Sequence, residues 1–570
     1  MDTVEDDIAT RPYTTRDWLR DAAAAFGGVK WFCAAGIAAV AAALFLLSQT
    51  PRPSDDAYIT FRHVRNLAEH GVPAWNLNGP HVLGSTTPAF LFALALFAKL
   101  TGVHDIPFAA LAFNSGCLFL IVLLVFLLGR DILKDEFAAL LTAVLIGFNS
   151  LLIYIGAQGF EGPLFIVALL GAFLCLVHRH DKTAIVLTSL APLIRPEGVL
   201  LSIIAWGYLL FTKRASVRLA ILYAVIPAAW FGFSTWYYGS CFPHSIEAKR
   251  YSAAIFWPYT GERYSLVGNL PRLFPALLAV SRTHAAKVLF NGATLEPWHT
   301  PVRPVFCWVE AGLLPLMTIL FIRRKSPALF CLAYAILFIA FFVLIGGATS
   351  WYYPSFVVCS LVTLFTGTCL LSRVALSPVS PEKRDVTYRS LCALLCVCFL
   401  LLNRYTYHRG VLPESRPWIY ARDPNKGDWS EMEVTRYQAY REAAEFLNMR
   451  CEDTPGTVMT SEVGVFGYFF RGDVIDTGAL CSPEVLPFYP PPASDLADSQ
   501  GNAYTAANHV VPTALVEALK PCYLVNSEVY IANLERPGGV LERDYEQIAS
   551  LKPAWNAPVL VYRRKADIHP

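Results

Sequence analysis

Charge is scarce in this sequence. Asp, Glu, Lys and Arg supply 16% of its 570 residues, against roughly 25% in an average soluble protein. There is no long Lys/Arg block and the formal net charge is +2, so nothing reads as a basic arm and no nucleic-acid partner is expected. The opening residues lack the basic stretch of a secretory signal. Asp2, Glu5, Asp6 and Asp7 stand there instead, and the first apolar run is expected to stay as an anchor. No CxxC pairs with a second CxxC or an HxxH, which argues against zinc. The 14 Cys are scattered, and those inside apolar runs, such as Cys392, Cys396 and Cys398, read as small apolar residues. Internal repeats are absent, and so is low complexity beyond Pro487 to Pro492.

What the chain has is apolar length. Hydrophobic residues make up 55% and aromatics 13%, many near the ends of apolar runs, as in the aromatic belts of membrane proteins. The runs fall near 29–49, 87–103, 106–129, 137–155, 163–178, 184–212, 217–238, 305–322, 327–346, 354–372 and 388–402. The first alone suffices to cross a hydrocarbon core of about 30 Å. Lys and Arg gather in alternate short loops, at Arg130/Lys134, Arg179/Lys182, Lys213/Arg214/Arg218, Arg323/Arg324/Lys325 and Arg373/Lys383/Arg384/Arg389. Such loops face the cytosol.

Two runs must bend to that pattern. Segment 87–103 is short and holds Lys99, so it reads as a helix along the outer interface. Segment 184–212 has basic loops on both sides and must turn back at Arg195-Pro196-Glu197-Gly198. Its first arm is about 16 Å long at ~1.5 Å per residue, which leaves the turn within membrane depth, against protein or water.

The expectation is an α-helical polytopic membrane protein of about eleven crossings with a re-entrant pair. Residues 1–28 are cytosolic, 29–403 form the membrane domain with outer loops 50–105 and 239–301, and 404–570 form an extracytoplasmic α/β domain. In the last, a helix over 431–448, a strand over 457–461, a helix over 505–519 and strands near 522–526 and 558–562 are predicted.

Several polar residues on the outer side are candidates for chemistry. Ala57, Phe61, Val64 and Ala68 share one face of a helix that starts at Asp55-Asp56 and is predicted to lie on the membrane. The two acids either cap that helix or act as a base or cation ligand. Glu161 stands in Gly159-Phe160-Glu161-Gly162-Pro163, solvated or functional. Arg195 and Glu197 at membrane depth either pair or contact substrate. Glu310 raises the same question within 305–322. Lys249 and Arg250, after Tyr237-Tyr238-Gly239-Ser240 and His244, either snorkel to headgroups or hold a phosphate.

In their order, Asp55-Asp56-Ala57-Tyr58-Ile59, Gly159-Phe160-Glu161, Arg195-Pro196-Glu197-Gly198 and Tyr237-Tyr238-Gly239-Ser240…Pro243…Ala248-Lys249 resemble the GT-C glycosyltransferases, most closely the AftB-type arabinofuranosyltransferases and their bacterial relatives. The resemblance runs from about 51 to 355 and returns faintly in 457–486. It implies an enzyme of the inner (cytoplasmic) membrane. Such an enzyme moves a sugar, arabinofuranose or another pentose or hexose, from a polyprenyl-phosphate donor to a cell-envelope glycan or glycolipid. It further implies Asp55 as general base with Asp56 beside it, Lys249 with Arg195 and Arg250 on the donor phosphate, and Glu161, Glu197, Tyr58, Tyr238 and His244 around the sugar. Mg²⁺ or Ca²⁺ on Asp55 and Asp56 is compatible with this set.

The pattern is broken after Gly346-Gly347, where an Asp and then an Arg are expected and Ala348-Thr349-Ser350-Trp351-Tyr352-Tyr353 stands. Ser482 likewise stands where relatives carry Asp. The rival readings are a transporter or flippase of a lipid-linked sugar, or a non-enzymatic glycan-binding scaffold. Cys451, Cys481 and Cys522 allow one disulfide among them in an oxidising compartment.

Overall fold

The computed structural model describes residues 29–51, 53–246, 248, 314–344, 350–410, 429–450, 456–496, 510–552 and 557–565. The helices begin with α1 (Val29–Leu47), α2 (Asp55–His70), α3 (Pro88–Thr101), α4 (Ile106–Leu133) and α5 (Glu136–Gly147). There follow α6 (Ser150–Ala157), α7 (Gly162–Val177), α8 (Asp181–Ile194), α9 (Gly198–Phe211) and α10 (Val217–Tyr238). Beyond these lie α11 (Leu314–Arg323), α12 (Ala328–Leu344), α13 (Tyr353–Ala375), α14 (Pro381–Gly410) and α15 (Trp429–Arg450).

Among the described residues α1, α4, α10 and α13 are each long and apolar enough to cross a membrane. The pair α5 and α6, bent by 44°, makes a fifth if it is one span. Helices α3, α7, α9, α11 and α12 are apolar but only 10–17 residues long. The eleven crossings read from the charges are thus not matched by eleven full-length helices. Helix α3, at 14 residues, reaches about 21 Å, too short for a hydrocarbon core of about 30 Å. Helices α8 and α9, also 14 residues each, reverse at the Arg195 turn, as a re-entrant pair requires. Gly198 makes the reversal possible, because a Cβ there would collide with the Ala191 backbone.

The bundle has two chemically distinct ends. At one, Arg373 donates to the Leu133 carbonyl at 2.7 Å and to Asp135 at 2.5 Å, while Arg214 pairs with Asp181 and His178 with Asp131 at 2.8 Å. These are the basic loops of the sequence pattern. The opposite end carries α2 and the C-terminal domain.

That domain is built on a five-stranded sheet of order β2-β1-β3-β5-β4. Its strands are β1 (Val458–Thr460), β2 (Val474–Asp476), β3 (Tyr523–Ser527), β4 (Tyr545–Leu551) and β5 (Val559–Arg564), with α16 (Val463–Phe469) between the first two. Strands β2, β1 and β3 run parallel, and β5 is antiparallel to both β3 and β4. The predicted strands at 457–461, 522–526 and 558–562 and the helix at 431–448 are all present. The predicted 505–519 helix is the shorter Thr513–Leu519 within the described part. Strands β2 and β4 were not expected: one has three residues and the other, YEQIASL, is an edge strand with little apolar periodicity. Helix α14 runs on to Gly410, past the boundary expected at 403.

Helix α2 joins the two halves. Ala57, Phe61 and Val64 bury into the membrane bundle, whereas Ile59 belongs to the core of the α/β domain. Arg62, His63 and Asn66 are buried too. The helix is therefore sandwiched, not laid on a lipid surface, because both of its faces are apolar or hydrogen-bonded.

Arg62 is the centre of the joint. Its guanidinium donates to the carbonyls of Trp75 at 2.7 Å, Phe470 at 3.3 Å and Gly472 at 2.9 Å, to that of Gly467, and to Asn76 Oδ1 at 3.0 Å. It also lies 4.6 Å from the Trp75 ring centroid. Burial pushes its pKa down, to about 9, which leaves it charged at neutral pH. Asn76 then acts as a surrogate strand, accepting from the Val474 N–H at 3.0 Å and donating to its carbonyl at 3.1 Å. This covers the edge of β2, which would otherwise offer open ladder groups. Tyr238 holds the same loop from the bundle, donating to the Pro73 carbonyl at 2.6 Å.

Replacing Arg62 with Leu strands buried carbonyls from both halves. We expect the purified protein to lose roughly 3–5 kcal/mol, the scale for breaking a buried charged network, with the C-terminal domain becoming protease-sensitive. Thermal unfolding within about 1 kcal/mol of wild type would contradict this role.

Candidate active site

The turn before α7 needs a residue that tolerates a left-handed backbone, and Gly159 supplies it at φ +76. Asn114 fixes that turn from α4, donating to the carbonyls of Gly156 at 3.1 Å and Phe160 at 3.0 Å. Glu161 is thereby presented beside the Arg195 turn. Arg195 is 2% exposed and Glu197 0%. The guanidinium lies 2.5 Å from Glu161 Oε1 and 2.5 Å from Glu197 Oε1, with the Tyr352 ring centroid 4.6 Å away. One cation thus holds two carboxylates at low exposure, where the pairing offsets the desolvation of all three. Arg195 and Glu197 pair, one of the two readings open for them, Glu161 joins them, and Glu161 and Arg195 also line a cleft.

The cleft is open to solvent. Asp56, Thr60, Ser85, Thr87, Glu161, Arg195, Ser245, Trp351, Tyr352 and Leu480 line it. Trp351 is stacked on Phe160, with ring centroids 5.5 Å apart and planes at 16°. His63 supports the 82–87 loop from beneath. Its Nε2 lies 3.3 Å from the Gly84 nitrogen and 3.2 Å from the Val82 carbonyl oxygen, and its Nδ1 lies 2.9 Å from the Ile59 carbonyl oxygen. Burial pushes His63 down to about 4, which keeps it neutral. The C-terminal domain contributes Leu480 through a loop organised by Asp476, which accepts from Gly478 N–H at 2.7 Å and Cys481 N–H at 2.9 Å. Burial raises the Asp476 carboxyl to about 6. Gly84 allows this loop to close in, since a Cβ there would strike the Cys481 sulfur.

The two aspartates part ways. Asp56 is exposed and lines the cleft. Asp55 points to the C-terminal domain, where its oxygens accept from the N–H groups of Gly464 at 3.0 Å and Val465 at 2.7 Å. It caps α16, a helix 409 residues away in sequence, not the helix it begins. A Cβ on Gly464 would collide with the Asp55 carbonyl, so only glycine permits the approach. Burial, and after it the Glu462 charge, raises Asp55 to about 8 against the pull of the two N–H bonds.

Of the residues singled out from the sequence, Asp56, Glu161 and Arg195 come together, with Glu197 held behind Arg195. Tyr58 packs against the rings of Phe61, Tyr468 and Phe469, and Tyr238 serves the Pro73 contact. The His244 N–H donates to the Leu83 carbonyl at 3.1 Å, and it is the next residue, Ser245, that lines the cleft. Lys249, Arg250, Glu310 and Cys451 lie outside the described residues, and Cys481 is a free thiol. Sequence reasoning missed Thr60, Ser85, Thr87, Ser245, Trp351, Tyr352 and Leu480. The clearest available signal was Trp351-Tyr352, which stands where charged residues were expected. Among the described residues no group of three His, Cys, Asp or Glu could hold a metal. An ion on Asp55 and Asp56 would have to compete with the N–H groups that already occupy Asp55.

A family described as "Domain of unknown function (DUF8728)" matches residues 430–566, which is the α/β domain from α15 through β5. The search of the curated proteins returns no match. Among solved structures, the chain is similar to ArnT from Cupriavidus metallidurans, in the apo state and bound to undecaprenyl phosphate. Identity is 15% and the TM-score 0.49, over 96% of this chain and 100% of that one. It is similar also to arabinofuranosyltransferase AftD from Mycobacteria, at 12% identity and a TM-score of 0.40, over 95% of this chain and 40% of that one.

Replacing Arg195 with Leu leaves Glu161 and Glu197 as uncompensated acids. The expected cost is roughly 3–5 kcal/mol, read as a lower unfolding temperature of the purified protein. An unchanged transition would show that the triad is not a structural element.

Proposed function

We propose that this chain is a GT-C-type membrane glycosyltransferase, moving a sugar from a polyprenyl-phosphate donor to a cell-envelope glycan or glycolipid on the extracytoplasmic face. One observation carries the reading. Three of the four sequence motifs that resemble such enzymes send a residue to the same cleft, Asp56, Glu161 and Arg195, and Ser245, which lies within the span of the fourth, lines it too. Motifs with only separate structural tasks would have no need to converge.

The reaction is a substitution at the anomeric carbon. An acceptor hydroxyl forms the new C–O bond, the bond to the lipid phosphate breaks, and the hydroxyl proton passes to a base. Asp56 takes the base role in this reading, because its carboxylate faces the cleft and makes no hydrogen bond within the described residues. Asp55, first choice from the sequence, instead clamps the C-terminal domain so that α2 presents Asp56 at a set angle. Arg195 positions Glu161, whose carboxylate faces sugar hydroxyls. Lys249 and Arg250, a few residues beyond Ser245, are assigned to the departing phosphate, where charge-assisted contacts stabilise the leaving group. The N-terminus is cytosolic and the α/β domain extracytoplasmic in this arrangement, and Leu480 makes that domain one wall of the acceptor's path.

Asp56→Asn is expected to lower sugar transfer from a labelled polyprenyl-phosphate donor by roughly 10²–10⁴, the usual contribution of a general base, with an unchanged unfolding temperature. Asp55→Asn removes one acceptor of an N–H pair and is expected to act first on stability. Near-wild-type transfer by Asp56→Asn would remove Asp56 from the mechanism.

A further inference from the structure

We infer that Thr60, Ser85, Thr87 and Ser245 form a subsite that reads the hydroxyl groups of an uncharged sugar ring, with Trp351 as its apolar platform. The inference rests on the glycosyltransferase reading and names the substrate class for the same cleft.

Thr60 Oγ1 lies 3.1 Å from Ser85 Oγ, which lies 3.1 Å from Thr87 Oγ1. The Thr87 N–H also donates to Ser85 Oγ at 3.3 Å. Each hydroxyl has one proton to give and two lone pairs. Two hydroxyl–hydroxyl contacts consume two of the three protons, whichever way they point. The third proton has no acceptor among the described residues, and lone pairs remain free at both ends of the ladder. This row lines an open cleft, ready to donate and accept at once. Sugar hydroxyls ask for that combination.

Ser245 supplies an independent observation. It is 3% exposed, it lines the cleft, and its Oγ is buried with no hydrogen-bond partner among the described residues. Buried hydroxyls are nearly always paired, because an unmade bond forfeits the water it displaced. An orphan at a cleft wall points to a bond completed by what enters the cleft.

The charges set the class. Among the described residues the cleft is lined by two acids, Asp56 and Glu161, and by Arg195, which is already shared between Glu161 and Glu197; Lys249 and Arg250 are committed to the phosphate in the proposed reaction. A carboxylated sugar would be repelled, whereas a neutral ring can lay a C–H face on Trp351, which Phe160 braces from behind.

Ser245→Ala provides a clean test, because the hydroxyl serves no bond among the described residues. The full-length protein in lipid nanodiscs would be titrated with polyprenyl-phosphate glycosides of a neutral pentose and a neutral hexose, and with sugar-free polyprenyl phosphate. We expect Ser245→Ala to unfold at the wild-type temperature or above and to bind the preferred glycoside roughly tenfold more weakly, the worth of about one neutral hydrogen bond. Its affinity for the sugar-free lipid should not change. Thr60→Val should show the same split between the two lipids. Wild-type affinity of Ser245→Ala for every glycoside would overturn the subsite, as would an equal loss for the sugar-free lipid. Wild-type protein that binds none of these lipids would overturn the glycosyltransferase reading itself, which separates the two failures.

Discussion

A buried guanidinium with no carboxylate among its hydrogen-bond partners holds this molecule together. Arg62 sits in the middle of α2 and spends its donors on carbonyl oxygens, one from its own outer loop, one from within α16 and two from the segment that follows it in the C-terminal domain. A carboxylate partner would have made a compact ion pair. A ring of carbonyls instead makes one side chain the meeting point of two segments far apart in sequence. The cost of burying that charge is offset only while all those carbonyls stay in place, so the joint behaves as a unit. Asn76, Trp75 and Asp55 extend it, each bonding backbone groups of the α/β domain.

The chemistry depends on that joint in a specific way. Adjacent aspartates at the start of a helix point about 100° apart around its axis, the angle per residue that follows from ~3.6 residues per turn. With Asp55 committed to the N–H groups of α16, Asp56 is directed to the cleft. The same docking brings Leu480 and the loop organised by Asp476 to the cleft wall. In the proposed mechanism, stability and catalysis are drawn from neighbouring residues of one helix. A change at the domain interface should be felt at Asp56 without touching it.

Much of the site was legible because it breaks the apolar pattern. Glu161, Arg195 and Glu197 stand out in a chain so poor in charge, and positioning them within membrane depth asks for the triad the structure contains. The re-entrant turn followed from loop charge and helix length. Other parts were hidden for physical reasons. Asp55 and Asp56 are indistinguishable as residue types, and only the distant N–H groups of Gly464 and Val465 separate their roles. Gly84-Ser85-Thr86-Thr87 reads locally as a loop and helix start, and its hydroxyl ladder exists only because Thr60 reaches it from α2. The span count of eleven rested on loop charge and is not confirmed by helix length, since α7, α9 and α12 are short apolar helices.

The most direct test is sugar transfer by the purified protein in sealed vesicles of known orientation, loaded with a polyprenyl-phosphate donor labelled in its sugar. The account predicts that label passes to an acceptor glycan on the face that carries the α/β domain, with one polyprenyl phosphate released for each bond formed. Movement of intact labelled lipid across the bilayer, without bond formation or release of the lipid phosphate, would contradict it.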